Sequence, residues 1–132
     1  MKNRRNIRSW VALFVTIAFA AAAQSGPEGI RLRKDDIARL FAGASLYGEY
    51  TEGRPDWAEE TAVTGELYDA AENWNEVGRW GTSGDYVCYT YWHNMSQYCF
   101  EVYEVDGQLF FYTPGTDQLI AFTYRIERDQ MM

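Results

Sequence analysis

The sequence contains few of the residues from which catalytic and metal sites are built. It has one histidine, His93, and two cysteines, Cys88 and Cys99. A catalytic triad built on His93 would need a nucleophile, and the chain contains no G-x-S-x-G motif. Two thiols without a neighbouring pair of histidines or cysteines do not form a zinc site. These absences argue against an enzyme, and we name no catalytic residue.

Phosphate-binding and calcium-binding motifs are also missing. The segment Gly78–Gly81 lacks the spacing and the Lys-Ser or Lys-Thr pair of a phosphate loop. No D-x-D-x-D-G pattern is present for calcium. The sequence therefore predicts neither a cofactor nor a metal site. The carboxylates are densest at Glu59, Glu60, Asp69, Glu72 and Glu76.

The first 23 residues have the order of regions found in a secretory signal peptide. Four basic residues precede an uncharged run from Trp10 to Ala23, which ends in four alanines before Gln24. This run is shorter than the roughly 20 apolar residues that a membrane-spanning helix needs. We therefore expect cleavage after Ala23, no stable membrane anchor afterwards, and a location in the periplasm or outside the cell.

Acidic residues outnumber basic residues in the rest of the chain. Residues 1–23 contain four of the twelve basic residues and none of the nineteen acidic ones, so the chain from Gln24 onward has a net charge of −11. Phosphate backbones repel such a surface, which excludes nucleic acid as a partner. The charge also suits a small soluble protein.

Cys88 and Cys99 predict a disulfide, because an exported compartment is oxidising and the cysteine count is even. A hairpin centred on His93-Asn94 places the two cysteines directly opposite each other. The hairpin has two possible closures, a two-residue turn at His93-Asn94 or a four-residue loop Trp92–Met95. The four-residue loop puts the cysteines on a non-hydrogen-bonded pair, whose side chains lie closer together.

After a flexible lead-in, residues 24–31, the pattern predicts one short helix. Ile37, Leu40 and Phe41 recur at helical spacing and form one apolar face. Acidic residues suit its first turn, and Gly43 suits its end.

The remaining sequence predicts strands and turns. The short links between the strands favour an up-and-down meander, and Asp106-Gly107 is typical of a two-residue hairpin turn. Residues 32–132 are therefore predicted to form one all-β domain. It consists of a short N-terminal helix followed by a seven- to eight-strand antiparallel up-and-down barrel or sandwich with one disulfide. The strand-like segments are 45–51, 57–68 with a bend at Gly65, 76–81, 86–91, 97–105, 108–113 and 118–127.

Alternation along the last strand predicts which of its side chains face the core. Ile120, Phe122, Tyr124 and Ile126 share one face, which we expect to point inward. The residues predicted to lie in the core are Trp80, Phe100, Phe122 and Tyr124.

Aromatic residues are crowded between Tyr86 and Tyr103, and two interpretations are open. The rings either fill a small barrel or line a mouth or partner surface, where Tyr and Trp are favoured. A disulfide-bridged hairpin would hold its loop as an outward projection. The residues predicted to contact a protein partner are therefore Trp92, His93, Asn94 and Met95.

Several short motifs occur in an order that resembles a known family. Gly78-Arg79-Trp80 is followed by a glycine-containing turn at 83–85, then Cys88, Cys99 and Asp106-Gly107. This order resembles small secreted proteobacterial proteins grouped as domain of unknown function 995. The resemblance covers roughly residues 32–112 and implies a fold and a compartment, without an activity. Residues 57–64 lack the Asp-Gly turn that the family would have there.

A more distant resemblance is to secreted bacterial inhibitors of metalloproteases. Those are small periplasmic barrels with one disulfide and an N-terminal segment that enters the protease cleft. In this chain residues 24–29 would be that segment, although Pro27 and Glu28 depart from the small residues of the family and a helix follows.

The sequence thus favours a periplasmic β-barrel with a non-enzymatic role, in protein binding or structure, and a periplasmic protein as its partner. Three alternatives stay open: a protease inhibitor, a barrel that holds a small apolar ligand, and a carboxylate-based glycan hydrolase. An eight-stranded barrel is just wide enough to hold one small ligand. A hydrolase needs two carboxyl groups that face one cleft.

Overall fold

The computed structural model describes residues 27–128, which form one helix and nine strands. The predicted signal peptide, residues 1–23, and the first part of the predicted lead-in, residues 24–26, lie outside the described residues. The elements are α1 (Lys34–Phe41) and the strands β1 (Ile30–Arg31), β2 (Ala44–Tyr50), β3 (Trp57–Thr61), β4 (Glu66–Asp69), β5 (Glu76–Ser83), β6 (Tyr86–Tyr91), β7 (Gln97–Val105), β8 (Gln108–Tyr112) and β9 (Leu119–Arg128).

Strands β2 to β9 form a closed antiparallel barrel. Each strand pairs with the next one along the chain, and β9 pairs back onto β2. The short β1 pairs with the second half of β7, where Ile30 lies opposite Glu104. The predicted all-β meander with one helix and one disulfide is confirmed, and a barrel is found rather than a sandwich. Closure leaves the eight strands without the exposed edges that promote aggregation.

The eighth barrel strand arises at a glycine. The segment 57–68, predicted as one strand bent at Gly65, is two strands, β3 and β4, joined by a turn. Gly65 has a φ of +104°, which residues with a Cβ rarely adopt. Its N–H donates to the carbonyl of Ala62 at 3.0 Å, which closes the turn. The polypeptide therefore reverses direction where only a bend was expected.

Helix α1 closes one end of the barrel. Its predicted apolar face is confirmed, since Ile37 and Phe41 are fully buried. Its N-terminus is tied to the β5–β6 turn, because the carboxylate of Asp85 accepts a hydrogen bond from the Lys34 N–H at 2.8 Å. This hydrogen bond and the neighbouring Arg33 hold the pKa of Asp85 below its usual value.

The half of the barrel next to α1 is filled by the main hydrophobic core. Of the predicted core residues, Trp80 and Phe100 are partly buried and pack against it. Trp80 stacks on Phe41 with ring centroids 6.0 Å apart, and its indole N–H donates to the Ala62 carbonyl at 2.7 Å. Fully buried aliphatic side chains of this core are Ile37, Leu46, Leu67, Val87 and Val102.

The predicted inward position of Phe122 and Tyr124 is wrong. Ala121 and Thr123 are the buried residues of this part of β9, and Tyr124 is 47% exposed. Phe122 stacks on its cross-strand partner Phe110, with centroids 5.7 Å apart, on the outer face of the barrel.

Two β-bulges in β9 explain this error. Tyr47 pairs with Arg125 and Gly48 pairs with Thr123, so Tyr124 is an extra residue in the strand. A second irregularity interrupts the pairing with β8 at Ile120. An extra residue changes which side chains face inward. Uninterrupted alternation is therefore the wrong assumption for this strand, although Ile120 and Ile126 do pack against the core.

The disulfide lies in the hairpin of β6 and β7. Cys88 and Cys99 are directly opposite, with Cα atoms 4.0 Å apart, and their sulfur atoms are bonded. The predicted register is confirmed. The Tyr91 N–H donates to the Ser96 carbonyl at 3.2 Å, which encloses the four-residue loop Trp92–Met95. Of the two closures left open by the sequence, the four-residue loop is therefore the one present.

Strands β5 and β6 approach so closely at Gly78 that a side chain there has no room. A Cβ at Gly78 would lie 2.0 Å from the Thr90 carbonyl oxygen, whereas a Cβ at Gly81 in the same strand would contact nothing within 4 Å. We expect Gly78→Ala to lower the free energy of unfolding by roughly 1–3 kcal/mol. Gly81→Ala should leave it within roughly 0.5 kcal/mol of the wild-type value. Urea unfolding measures both variants, and equal stabilities would contradict the close approach.

Candidate functional site

The end of the barrel opposite α1 contains a cavity of about 60 Å³. The loops 51–56, 70–75, 92–96 and 113–118 surround this end, because each connects two strands on the side away from the helix. Beyond the cavity, two open clefts of about 470 Å³ and 750 Å³ lead to the surface. Six aromatic residues line the cavity: Tyr50, Trp57, Tyr89, Tyr91, Phe100 and Phe111.

A glycine makes space for one of the aromatic rings. Gly48 lies opposite Trp57. A Cβ at Gly48 would lie 2.4 Å from the indole ring of Trp57, so a larger residue would displace that ring. Glycine in a strand often marks such a close approach.

The rings support one another through edge-to-face contacts. The ring centroid of Phe111 lies 5.9 Å from that of Trp57 and 6.0 Å from that of Phe100. Both neighbouring rings are nearly perpendicular to the Phe111 ring. The indole N–H of Trp57 is buried and has no acceptor among residues 27–128. The cavity wall is thus a packed aromatic surface.

Glu59 is the acidic residue that lines the cavity. It lies two residues after Trp57 in β3, so both side chains point to the inside of the barrel. The hydroxyl of Tyr91 donates a hydrogen bond to its carboxylate at 2.6 Å. None of the five ion pairs found among residues 27–128 includes Glu59. The carboxylate therefore has a hydroxyl partner but no cationic one.

Burial raises the pKa of Glu59 to about 7, since the charged form loses its hydration. The hydrogen bond from Tyr91 acts in the opposite direction and lowers this pKa. Asp69, directly opposite Glu59 in β4, raises it further through charge repulsion. Near neutral pH the carboxyl group therefore exists in both protonation states.

The tyrosine hydroxyls at the cavity remain protonated at neutral pH. Burial raises the pKa of Tyr89 and of Tyr91, and the nearby carboxylate of Glu59 adds to both shifts. A protonated hydroxyl can donate one hydrogen bond and accept another. Tyr91 can therefore act on Glu59 and on a bound molecule at the same time.

Two basic side chains lie at the rim rather than in the cavity. The guanidinium of Arg54 stacks 3.8 Å from the ring centroid of Tyr50, and its Nε lies 3.9 Å from the Glu52 carboxylate. The ring of His93 lies 6.1 Å from that of Tyr91. Both residues line the two open clefts. Asp56 and Asp69 also line one of these clefts, so its rim contains both acidic and basic side chains.

The structure places the predicted contact loop Trp92–Met95 beside this opening. His93 faces the clefts, whereas the side chains of Trp92 and Met95 are 40% and 66% exposed. Trp92 is held against β5, because its indole N–H donates to Glu76 at 3.2 Å. Asn94 is exposed, and its side-chain oxygen accepts a hydrogen bond from the Ser96 N–H at 2.9 Å. Of the four predicted residues, His93 alone lines the clefts.

The pairing of Glu59 with Tyr91 was not predicted from the sequence. Glu59 had been noted only as a member of an acidic segment, and Tyr91 only as one of many aromatics. One signal was available: Trp57, Glu59 and Thr61 alternate along a strand, which places a carboxylate on the same face as a tryptophan. The alternation alone does not show that this face of β3 is the one that points into the barrel.

No group of three or more His, Cys, Asp or Glu side chains among residues 27–128 is arranged to hold a metal ion. The same residues contain no helix that is long and apolar enough to cross a membrane.

Comparison with known proteins gives no further guide to the site. The chain matches no protein-family model, no curated protein and no solved structure.

The raised pKa of Glu59 predicts a pH-dependent cost to stability. The folded protein binds the carboxyl proton of Glu59 more tightly than the unfolded chain does. Stability is therefore lost as pH rises from 4.5, the ordinary pKa of a glutamate, through about 7. Glu59→Gln removes the ionisation and preserves the shape. We expect the variant to unfold like wild type near pH 4.5 and to be more stable by roughly 2–3 kcal/mol at pH 8.

Urea unfolding at pH 4.5, 6, 7 and 8 tests this expectation. Glu60→Gln is the control, because Glu60 is the next residue in β3 and points to the opposite face. A constant difference between Glu59→Gln and wild type across this range would show that Glu59 titrates normally.

Proposed function

We propose that this chain is a ligand-binding β-barrel whose open half receives a small molecule with an apolar or aromatic body. The observation that carries the proposal is the unequal filling of the barrel. The half next to α1 is packed with aliphatic side chains and the rings of Phe41 and Trp80, whereas the other half contains a cavity lined by six rings and by Glu59, which is hydrogen-bonded to Tyr91. Ligand pockets have this composition, mostly apolar with a few placed polar groups.

The dimensions of the opening suit a ligand that enters by one end. The inner cavity of about 60 Å³ accommodates a small head group, and the adjoining clefts of about 470 Å³ and 750 Å³ are in the range of small-molecule sites. The head group would lie beside Glu59, and the body would rest against Tyr50 and Trp57.

The strand number supports this role over the alternatives. An eight-stranded barrel is just wide enough either to be filled by side chains or to hold one small ligand, and the half of this barrel away from α1 contains a cavity. The predicted protein-binding role depended on the loop Trp92–Met95, of which one residue lines the clefts beside the cavity. A protease-inhibitor role depended on residues 24–29, of which the first three lie outside the described residues.

We place the protein in an oxidising compartment outside the cytoplasm. The disulfide between Cys88 and Cys99 supports this placement, because such bonds persist in oxidising compartments. The signal-peptide pattern of residues 1–23 and the resemblance to domain of unknown function 995 agree with export, and the periplasm stays our expectation.

A second candidate function is hydrolysis of a glycan by two carboxyl groups. It is favoured by the juxtaposition of Glu59 and Asp69, which pair across β3 and β4 and line the same cleft. A carboxyl group with a pKa near 7 is suited to act as a general acid. Release of reducing ends from peptidoglycan that is lost in both Glu59→Gln and Asp69→Asn would favour this function over simple binding.

Filling the cavity should abolish ligand binding. Ile120 lines both the inner cavity and one of the clefts, so Ile120→Trp places a large ring in the opening. Tyr124→Trp is the matched control, because Tyr124 belongs to the same strand but faces outward. We expect the neutral probe N-phenyl-1-naphthylamine to bind wild type and Tyr124→Trp equally. Its affinity for Ile120→Trp should fall by at least about tenfold, which equals roughly 1.4 kcal/mol.

Isothermal titration calorimetry measures these affinities, and thermal unfolding confirms that each variant is folded. Equal binding by Ile120→Trp, or no binding by wild type, would contradict a ligand site in the open half of the barrel.

A further inference from the structure

The carboxylate of Glu59 lacks a cationic partner in an otherwise aromatic cavity. Ion pairs among residues 27–128 involve other acids, and the group that contacts Glu59 most closely is the neutral hydroxyl of Tyr91. Buried charges in proteins are usually paired, because an isolated one is costly to remove from water. Binding of a cation would supply the missing partner.

We propose that the ligand of this cavity is an organic cation, an amine or quaternary ammonium compound whose charged head group lies beside Glu59 and whose apolar body lies in the clefts. The inference rests on the proposed binding function and specifies its ligand class.

The walls of the cavity suit such a head group. A cation is attracted to the face of a Trp, Tyr or Phe ring when it lies within roughly 6 Å of the ring centroid. Tyr50, Trp57 and Tyr91 line the cavity together with Glu59. At the rim, Tyr50 already has the guanidinium of Arg54 stacked on it at 3.8 Å.

The groups that face Glu59 are either acidic or uncharged. Asp69 lies directly opposite on β4, Tyr91 and Tyr89 project from β6, and Tyr50 projects from β2. Tyrosine hydroxyls in this setting are uncharged at neutral pH. No basic residue of the described chain lines the inner cavity. An anionic head group would therefore meet repulsion there, and a cation would meet attraction.

The two basic residues at the opening do not reverse this preference. Arg54 is near Glu52 and stacks on Tyr50, so its charge is already partly compensated. His93 lines the clefts rather than the inner cavity. The chain as a whole has a net charge of −7, which attracts cations from solution.

Three probes of similar size separate the possible ligand classes. Phenethylammonium carries a cation, 2-phenylethanol is its neutral counterpart, and 3-phenylpropionate carries an anion on the same aromatic body. Calorimetric titration of the purified protein at pH 8 should show that the cation binds at least about tenfold more tightly than the alcohol, as expected for a charge-assisted hydrogen bond. The anion should bind more weakly than the alcohol.

Two variants assign the preference to Glu59. Glu59→Gln should lose the preference for the cation and bind the alcohol within about twofold of wild type. Glu60→Gln, altered at the next residue but on the outer face, should behave like wild type. The cation affinity of wild type should also decrease below pH 7, by about tenfold per unit, while the affinity for the alcohol stays constant. A His93→Gln variant should retain this pH dependence, which separates Glu59 from the histidine at the rim.

The outcomes distinguish this inference from the function on which it rests. If the alcohol binds, but the cation has no advantage or keeps its advantage in Glu59→Gln, the cation inference is wrong and the binding function stands. If none of the three probes binds and N-phenyl-1-naphthylamine does not bind either, both are wrong.

Discussion

The pairing of β2 with β9 closes the sheet, and the side chains that point inward must fill the space that closure creates. Toward α1 the helix supplies Ile37 and Phe41, and the core there is complete. Toward the other end no helix of residues 27–128 covers the barrel, and the chain lines the interior with aromatic rings and one hydrogen-bonded carboxyl group. The division of one barrel into a filled half and an open half is the structural basis of the proposed function.

Local patterns of the sequence were sufficient for most of the fold. The hairpin of Cys88 and Cys99 has the predicted register, and the turn at Asp106-Gly107 has positive φ at both residues, as a two-residue hairpin requires. The predictions of strand boundaries and of inward-facing side chains were wrong where a single residue interrupts the strand pattern. Gly65 turns a bend into a reversal, and the bulge at Tyr124 moves a ring from the predicted core to the surface. Strand alternation cannot reveal an extra residue that only a neighbouring strand defines.

The candidate site was harder to predict, because it depends on contacts between distant parts of the chain. Glu59 and Tyr91 are separated by 32 residues and meet only when β3 and β6 face each other across the barrel. A carboxylate in a strand normally indicates a solvent-facing position, so Glu59 looked like one acid among many. The predicted contact loop lies next to the site, because His93 follows Tyr91 by two positions. Its placement at the opening is a consequence of the four-residue closure of that hairpin.

The proposed binding site depends most directly on the environment of one carboxyl group. An NMR titration of the side-chain carboxyl carbon of Glu59 in the folded protein measures its pKa without any ligand. The structure predicts a pKa of about 7, because the group is enclosed by rings and faces a second acid. A value at the ordinary 4.5 would show that water solvates Glu59 freely, and it would contradict the enclosed cavity on which the proposed binding site is built.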